Sequence, residues 1–176
     1  MNRHFVGLHG RTLYDAAGLG EERMKVLDAV QRAIRGEKVD GFPMTFPPPV
    51  AMLIGFHPVK IEEGRTVFRL EARRDKHANP MGTLHGGILC DVADAAMGMA
   101  CASLLEEGES FTTLELKMNF FRPILDAQLE ARAEVVHRGK SLVYLECAIV
   151  TVGEEKLVAK SNSTCLILRG DQAKGR

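Results

Sequence analysis

Two carboxylates stand in an otherwise apolar stretch of the chain, and they are the first residues whose type and setting could support chemistry. Asp91 and Asp94 are three residues apart, so on a helix they lie on neighbouring parts of one face. A buried carboxylate costs several kcal/mol unless it is paired or hydrogen-bonded. A structural explanation, such as a buried cation or the positive helix end, fits Asp91 better because Asp91 lies nearer to the helix start. Asp94 is therefore the candidate for a catalytic carboxylate, with a buried structural partner as the alternative.

The segment directly before these carboxylates carries two glycines at the entrance to the predicted helix, Gly86 and Gly87, which follow His85. Glycine allows close backbone approach, and the first amides of a helix have no intrahelical partner. Such free N–H groups can stabilise the oxyanion that develops on a carbonyl oxygen during acyl transfer. The alternative is a tight turn without chemistry. Asn79 and His85 are ordinary residues when taken alone, because a loop asparagine often caps a turn and a lone histidine usually has a structural neighbour.

Hydrophobic periodicity predicts the elements that must position these groups. Residues 21–35 carry apolar side chains at helical spacing and Gly36 follows them, which predicts an amphipathic helix and its stop. Residues 41–50 contain four prolines and are expected to form an extended connection. Residues 141–152 and 156–168 are predicted to pair as antiparallel strands, because Gly153 and acidic residues separate them as a hairpin turn would.

Three further segments alternate between apolar and polar residues, which predicts half-buried strands. Their apolar positions are Phe68, Leu70 and Ala72; Leu114, Leu116, Met118 and Phe120; and Leu129, Ala131, Ala133 and Val135. Residues 86–105, in contrast, are apolar on most sides of a helix, so this helix is expected to be buried. An antiparallel sheet that curls around one central helix is the economical way to bury it, which gives an α+β fold class.

Composition limits the classes of partner. Lys and Arg total 23, as do Asp and Glu, so no net field attracts nucleic acid or an anionic membrane. No signal-peptide pattern and no membrane-spanning run is present, and we expect a cytoplasmic protein with neither nucleic acid nor membrane as partner. The four cysteines lack metal-ligand or redox spacing and are assigned to the core together with two methionines. These core residues are Cys90, Cys101, Cys147, Cys165, Met97 and Met99.

One family matches the constellation. The run N-P-M-G-T-L-H-G-G-I-L-C-D-V-A-D, followed by T-T-L-E-L-K-M-N-F-F-R-P, resembles the hotdog thioesterases of the phenylacetyl-CoA thioesterase-like group. The resemblance covers roughly residues 50–168. The family signature is an asparagine, His-Gly-Gly six residues later, and an acidic residue nine after the histidine; Asn79, His85-Gly86-Gly87 and Asp94 match it. The expected fold is a hotdog, with an N-terminal extension at 1–49, the thioesterase domain at 50–170 and a tail at 171–176.

The resemblance implies a role for each matching residue. The Gly86 amide and the Asn79 side chain would polarise the thioester carbonyl, His85 would position them, and Asp94 would attack the carbonyl or activate water. We favour the general base, although both roles use the same carboxylate. The family's hydroxyl residue near the acidic residue matches Thr113, and a one-residue register error would exchange it with Thr112.

The substrate implied by the resemblance is an acyl-CoA, with no separate cofactor because CoA is part of the substrate. Gly87 and the basic segment Arg138-Gly139-Lys140-Ser141 resemble the region that holds the substrate and the nucleotide end of CoA. Two cations and a glycine suit phosphate oxygens, and a solvated turn is the alternative for this segment. Metal is not expected, because His85, Asp91 and Asp94 lack a further ligand at suitable spacing.

The resemblance also implies assembly, at minimum a homodimer and as we expect a homotetramer. A single hotdog sheet leaves an edge strand unpaired, and edge-to-edge pairing would cover it. Asn79 and Gly86 of one subunit would then face Asp94 and Thr113 of its neighbour. The alternative function is an acyl-CoA-binding or sensing module without catalysis. A hotdog dehydratase fits less well, because it would more naturally place a catalytic histidine and aspartate together.

Overall fold

The fold is formed by residues 26–37, 46–106 and 108–173, the parts of the chain that this computed structural model describes. Helices and strands alternate along the chain in the predicted order, with two strands before the long helix and four after it. In chain order the elements are α1 (Val26–Ile34), α2 (Pro49–Ile54), β1 (Phe56–Glu62), β2 (Arg65–Ala72), α3 (Arg74–His77), α4 (Gly86–Ala102), β3 (Glu109–Phe120), β4 (Ala127–Arg138), β5 (Leu142–Thr151), β6 (Leu157–Arg169) and a final 3-10 turn (Gly170–Ala173).

The six strands form one antiparallel sheet in the order β1-β2-β4-β5-β6-β3. The sheet curls around α4, which packs against all six strands. This is the hotdog architecture, so the predicted fold class is confirmed. The predicted hairpin between the last two strands is also confirmed, with Gly153 in the left-handed conformation (φ 90°) at its turn.

The long helix is covered on most sides, as the sequence predicts, and only one narrow face of it is open. Its buried residues are Leu89, Val92, Ala93, Ala96, Met97, Ala100, Cys101 and Ala102. The open face exposes Gly87, Asp91 and Asp94, because no other described element of the single chain covers it. Cys90 borders this face and is half-buried, so the assignment of four buried thiols holds for the other three cysteines only.

The predicted alternation holds in β2 and β4 and fails in β3. Leu114 and Phe120 were expected to face the core, yet their side chains are 55% and 53% exposed. At Leu114 the cause is a β-bulge: Thr113 pairs with Cys165 and Glu115 with Thr164, so that Leu114 is an extra residue in the ladder. As a result, Thr113 before the bulge lies on the same face of the sheet as Leu116 after it. Phe120 lies on the same face as Leu116 and Met118 and is exposed at the end of the strand.

The N-terminal helix is confirmed over Val26–Ile34, whereas residues 21–25 lie outside the described part of the chain. Gly36 follows the helix with φ 77°, as its predicted stop requires. The expected extended connection over 41–50 is wrong at its end, because α2 begins at Pro49. Proline is compatible with the first helical turn, where its missing N–H has no intrahelical acceptor. Residues 41–45 are not described.

Candidate active site

The start of α4 leaves one backbone donor free. His85 is the N-cap residue, and its Nδ1 accepts a hydrogen bond from the Gly87 amide at 2.9 Å. The Gly87 N–H is therefore occupied. The Gly86 amide, by contrast, has no hydrogen-bond acceptor among the described residues. Of the two glycines, Gly86 is thus the candidate oxyanion donor, and the position of His85 organises the turn that presents it.

A side chain at position 86 would have little room. A Cβ atom there would lie 3.0 Å from Cζ and 3.2 Å from Cε1 of Phe120, at the end of β3. This contact brings the aromatic ring against the backbone of the helix start. Phe120 therefore forms a wall beside the free Gly86 amide.

Asn79 builds the loop that leads to the helix. Its Oδ1 accepts hydrogen bonds from the amides of Met81 (2.9 Å) and Thr83 (3.2 Å), and its Nδ2 donates to Thr83 Oγ1 (2.9 Å). One of the two Nδ2 hydrogens is used in this way, and no acceptor for the second is found in the described residues. The side chain expected to polarise a carbonyl is thus held rigidly by its own loop and retains one donor.

Asn79 and Gly86 line a common cavity of about 360 Å³. The rest of its wall is mainly apolar, and it includes one cation. These residues are Thr83, Leu84, Leu89, Phe120, Phe121, Arg122, Pro123 and Ile124. The sequence analysis placed Phe120 in a half-buried strand and residues 121–123 only within the family resemblance, and it missed that these residues form part of the wall of the cavity. The Nε of Arg122 donates to the carbonyl of Leu157 at 3.1 Å, and no carboxylate pairs with this arginine among the described residues.

Asp94 is placed beside Thr113, whose hydroxyl donates to Asp94 Oδ1 at 3.2 Å. The register ambiguity is thereby resolved, since Thr113 and not Thr112 makes this contact. No cation pairs with Asp94 in the described parts of the chain. The surrounding helix and strand remove part of its hydration, which raises the pKa of Asp94 above its ordinary value. The negative charge of Asp91 adds to the increase in pKa, and the hydrogen bond from Thr113 opposes it.

Asp91 has a different environment. Its side chain is exposed on the open face of α4 and has no hydrogen bond or ion pair with any described residue. It acts on the site only through its charge, by raising the pKa of Asp94. The structural role suggested by the sequence is therefore not visible within the described residues, and Asp91 serves as an internal comparison for Asp94.

Within one chain, the two groups of candidate residues are too far apart to act on one carbonyl. Gly86 and Asp94 belong to the same helix and are eight residues apart, which corresponds to about 12 Å along its axis. In acyl transfer the oxyanion donor lies about 3 Å from the carbonyl oxygen, and a general base lies about 3 Å from the water that attacks the same carbonyl carbon. The chain therefore carries two separate half-sites, one at Asn79 and Gly86 and one at Asp94 and Thr113.

The basic segment at the β4–β5 turn is only partly available to a ligand. Arg138 donates to a carboxylate oxygen of Glu109 at 2.9 Å and also to the carbonyl of Leu104. The Glu109 side chain is only 6% exposed, so this ion pair is largely buried. The charge that sequence reasoning assigned to CoA phosphates is thus used within the fold.

The other residues of this turn present their backbone to the protein. The Gly139 amide donates to the carbonyl of Leu142 at 2.8 Å, and the carbonyl of Ser141 accepts from the Ile167 amide at 2.8 Å. The Lys140 side chain is exposed and makes no ion pair with a described residue. Lys140 is therefore the cation of the segment that can contact a ligand.

Among the described residues, no group of three or more histidine, cysteine, aspartate or glutamate side chains converges as a metal site would require. None of the helices in this part of the chain has the length and apolar character needed to cross a membrane.

Comparison with known proteins gives a consistent result. Residues 81–158 match the Thioesterase superfamily. The chain is 33% identical over 114 residues to a 1,4-dihydroxy-2-naphthoyl-CoA hydrolase of Listeria monocytogenes, covering 65% of this chain and 91% of that protein. A thioesterase family protein from Silicibacter pomeroyi superposes with a TM-score of 0.64 at 32% identity, over 70% of this chain and 91% of the other. The E. coli PaaI protein from the phenylacetic acid degradation operon has a TM-score of 0.64 at 26% identity, over 70% and 87% of the two chains.

Proposed function

This chain belongs to the Thioesterase superfamily, and from that membership we propose that it hydrolyses the thioester bond of an acyl-CoA with Asp94 as the catalytic carboxylate. The observation that carries the proposal is the setting of Asp94. This carboxylate accepts a hydrogen bond from Thr113 and has no cation partner within the described residues. Its pKa is raised, mainly by loss of hydration, which makes it a stronger base than an ordinary carboxylate.

In the proposed reaction, Asp94 removes a proton from a water molecule as the water oxygen attacks the thioester carbonyl carbon. The carbonyl oxygen becomes negatively charged, and the Gly86 amide and the remaining Asn79 Nδ2 donor stabilise it. Collapse of the tetrahedral intermediate breaks the carbon–sulfur bond and releases the free acid and CoA. We favour this general-base route over attack by Asp94 itself, and rapid quenching followed by mass spectrometry tests the choice. An acylated protein would contradict it.

Each end of the proposed substrate is assigned to the region of the protein that matches its chemistry. The apolar wall around Gly86, with Phe120 and Phe121, suits the uncharged part of an acyl-CoA. We propose that the phosphate groups of CoA lie at the Arg138-Gly139-Lys140-Ser141 turn, where Lys140 supplies the available charge. Gly87 supports the substrate indirectly, because its amide fixes His85. The naming of one relative as a naphthoyl-CoA hydrolase makes aromatic acyl groups the first to test.

A homodimer is part of the proposal, because Gly86 and Asp94 can meet at one carbonyl only if they come from different subunits. Each dimer would then contain two complete sites. We further propose that two dimers associate into a homotetramer.

The test is release of free thiol from a panel of aryl-, short-chain and medium-chain acyl-CoA esters, measured with a thiol reagent. The decisive variant is Asp94→Asn, which preserves size and removes the charge and the basicity. We expect its kcat to fall by about 10²-fold or more, in line with the contribution of a general base. Asp91→Asn is the matched control, since it removes a neighbouring exposed carboxylate, and we expect a change of only a few-fold.

Near-wild-type turnover by Asp94→Asn would refute the catalytic assignment. Absence of thiol release from every ester, together with calorimetric binding of CoA, would favour the non-catalytic binding module instead.

A further inference from the structure

A buried thiol lies directly behind the Thr113 hydroxyl. Cys165 is the residue opposite Thr113 in the β3–β6 ladder, and its Sγ is 3.9 Å from Thr113 Oγ1. The Cys165 side chain is 1% exposed, so water cannot replace it as a partner for Thr113 from that side. Thr113 is thus held between a thiol and the Asp94 carboxylate.

Counting hydrogens fixes the direction of the two contacts. A threonine hydroxyl has one hydrogen to donate and lone pairs to accept. Asp94 in its ionised form can only accept, so the Thr113 hydrogen is directed to Asp94 Oδ1. The contact between Cys165 and Thr113 must then be donated by the thiol. The Thr113 oxygen thereby accepts a hydrogen bond from the Cys165 S–H, and its own hydroxyl hydrogen points to the carboxylate.

The chain also connects Cys165 to the helix that carries Asp94. The Cys101 thiol on α4 is a neighbour of Cys165 on β6, and the interaction between the two thiols raises the pKa of Cys101 and lowers that of Cys165. Cys101 and Asp94 are seven residues apart, which is two helical turns, so both point toward the same side of α4. The contacts therefore run from Cys101 through Cys165 and Thr113 to Asp94 and return to the helix where they began.

The β-bulge next to Thr113 fixes the position of this hydroxyl. Ladder pairing skips Leu114, and the buried Ser163 hydroxyl donates to the carbonyl of Glu115 at 2.8 Å, just beyond the bulge. Bulges beside active sites commonly re-aim a side chain, and this one leaves Thr113 facing α4. The strand geometry places Thr113 within reach of both partners, and the thiol determines which way its hydrogen points.

We propose that Cys165 is a positioning residue for the hydrolysis described above, because its thiol orients the Thr113 hydroxyl toward the Asp94 carboxylate. This inference rests on the proposed role of Asp94. It assigns a function to a cysteine that the sequence placed only in the core. A thiol at this position makes the Thr113 hydrogen bond to Asp94 more persistent, and that bond favours the ionised carboxylate.

Besides burial, which raises the pKa of Asp94 most, two described groups act on its ionisation directly and Cys165 acts through one of them. Asp91, on the same helix, raises the pKa of Asp94 through its charge, whereas Thr113 lowers it by donating to the carboxylate. Cys165 acts through Thr113, and its neutral thiol is the form that donates. Removal of the thiol should weaken the Thr113 bond and move the pKa of Asp94 upward.

Two measurements test the proposal in the full-length protein. The first is a 13C NMR titration of the Asp94 carboxyl carbon, assigned by comparison with Asp94→Asn, which requires no turnover. The second is the acid limb of the pH profile of kcat/KM. For Cys165→Ala we expect the pKa of Asp94 and the acid limb of the profile to move to higher pH, together with a loss of kcat/KM of about fivefold to tenfold near neutral pH. Cys165→Ser, which retains a hydrogen-bond donor, should restore the wild-type titration.

The matched control is Cys147→Ala. Cys147 is as buried as Cys165, at 1% exposed, and burial alone raises its pKa to about 12, with no hydrogen bond to a described residue. Its truncation leaves a cavity of the same kind without touching Thr113, so the Asp94 titration should not move. Thr113→Val should shift the titration upward, and Cys165→Ala added to it should have no further effect.

An Asp94 titration in Cys165→Ala that superimposes on the wild type, while Thr113→Val shifts it, would overturn the proposal. An equal shift in Cys147→Ala would overturn it as well, because the effect would then be general to core truncation. Failure of the proposed function is a separate result, since it is read from the turnover of Asp94→Asn and not from the titration.

Discussion

Two inactive variants of this chain should restore activity when they are combined. Along α4, Gly86 and Asp94 are about 12 Å apart, whereas the carbon and oxygen of one carbonyl are separated by only about 1.2 Å. We therefore expect that a single chain does not place its own amide and its own carboxylate on the same thioester. In the proposed homodimer, each active site would combine the Gly86 half-site of one subunit with the Asp94 half-site of the other.

One variant should remove each half-site with little other change. Asp94→Asn removes the carboxylate. Gly86→Pro removes the backbone N–H itself, and the proline backbone suits this place because it is the first residue of the helix. Its Cβ requires the ring of Phe120 to move by a few tenths of an ångström, which the exposed position of that ring allows. The preceding residue, His85, has φ −66° and ψ 129°, the extended conformation that a following proline requires. Each variant alone should lose about 10²-fold or more in kcat.

The expected recovery follows from counting sites. Random reassociation of equal amounts gives half hybrid dimers, and each hybrid contains one site with both defects and one with neither. About one quarter of the wild-type sites are thereby restored, which is roughly 25% of wild-type activity from two nearly inactive parents. Co-expression with two different affinity tags isolates the hybrids, native mass spectrometry verifies them, and thiol release measures their turnover, which should be about half that of the wild type because one site in two is intact. If verified hybrids are no more active than the average of the parents, the reasoning from the helix geometry is wrong.

The remaining predictions concern charge. Arg138→Ala should lower the free energy of unfolding by about 2 kcal/mol, because it removes a charged hydrogen bond to the buried Glu109, and should change KM little. Lys140→Ala should raise KM for acyl-CoA and leave the free energy of unfolding within about 0.5 kcal/mol of the wild-type value. Steady-state kinetics and chemical denaturation measure the two effects. If Arg138→Ala changes KM and not the free energy of unfolding, these separate roles of Arg138 and Lys140 are wrong. The pKa of Asp94 is higher in the folded state than in the unfolded state. At a pH between these two pKa values the folded protein binds more protons than the unfolded protein, so the free energy of unfolding falls as the pH rises through this range. Asp94→Asn should therefore raise Tm at pH 7, by no more than about 3 °C because the side chain is exposed, and a lower Tm in calorimetry would contradict the sign.

The fold was predictable because its core faces repeat along the chain. In β2 and β4 the apolar residues alternate without interruption, and in α4 they surround the buried side of a helix, so local pattern and tertiary burial agree. In β3 the pattern misleads, since the inserted Leu114 changes which residues face the core. A bulge depends on how the neighbouring strand pairs, and the pattern of one strand does not contain that information.

The candidate site was predictable to the extent that its groups lie close together in sequence. Gly86 and Asp94 belong to one helix, so the number of residues between them gives their distance along its axis. The use of Arg138 was not predictable, because its partner Glu109 is 29 residues away and becomes its neighbour only when β3 and β4 enter the sheet. Cys165 was assigned to the core for the same reason, since its contact with Thr113 spans 52 residues.

The two edges of the sheet differ in a way that selects where a second subunit can pair. β1 and β2 are joined by a two-residue turn at Glu63-Gly64, so Glu62 and Arg65 are a hydrogen-bonded pair and the next pair, Ile61 and Thr66, is not. The carbonyl of Ile61 therefore points away from β2. Gln31 of α1 donates to this carbonyl at 2.9 Å, so the N-terminal helix occupies part of that edge.

The other edge, β3, is twelve residues long and ends at the Phe120 ring beside Gly86. An open edge of this length is a template for another strand. Antiparallel pairing of two copies of β3, centred between Leu116 and Lys117, would place Thr113 of one copy opposite Phe120 of the other. That arrangement supplies the Gly86 half-site to Asp94 across the interface, so the edge that needs a partner is also the one whose pairing would complete the hydrolytic site.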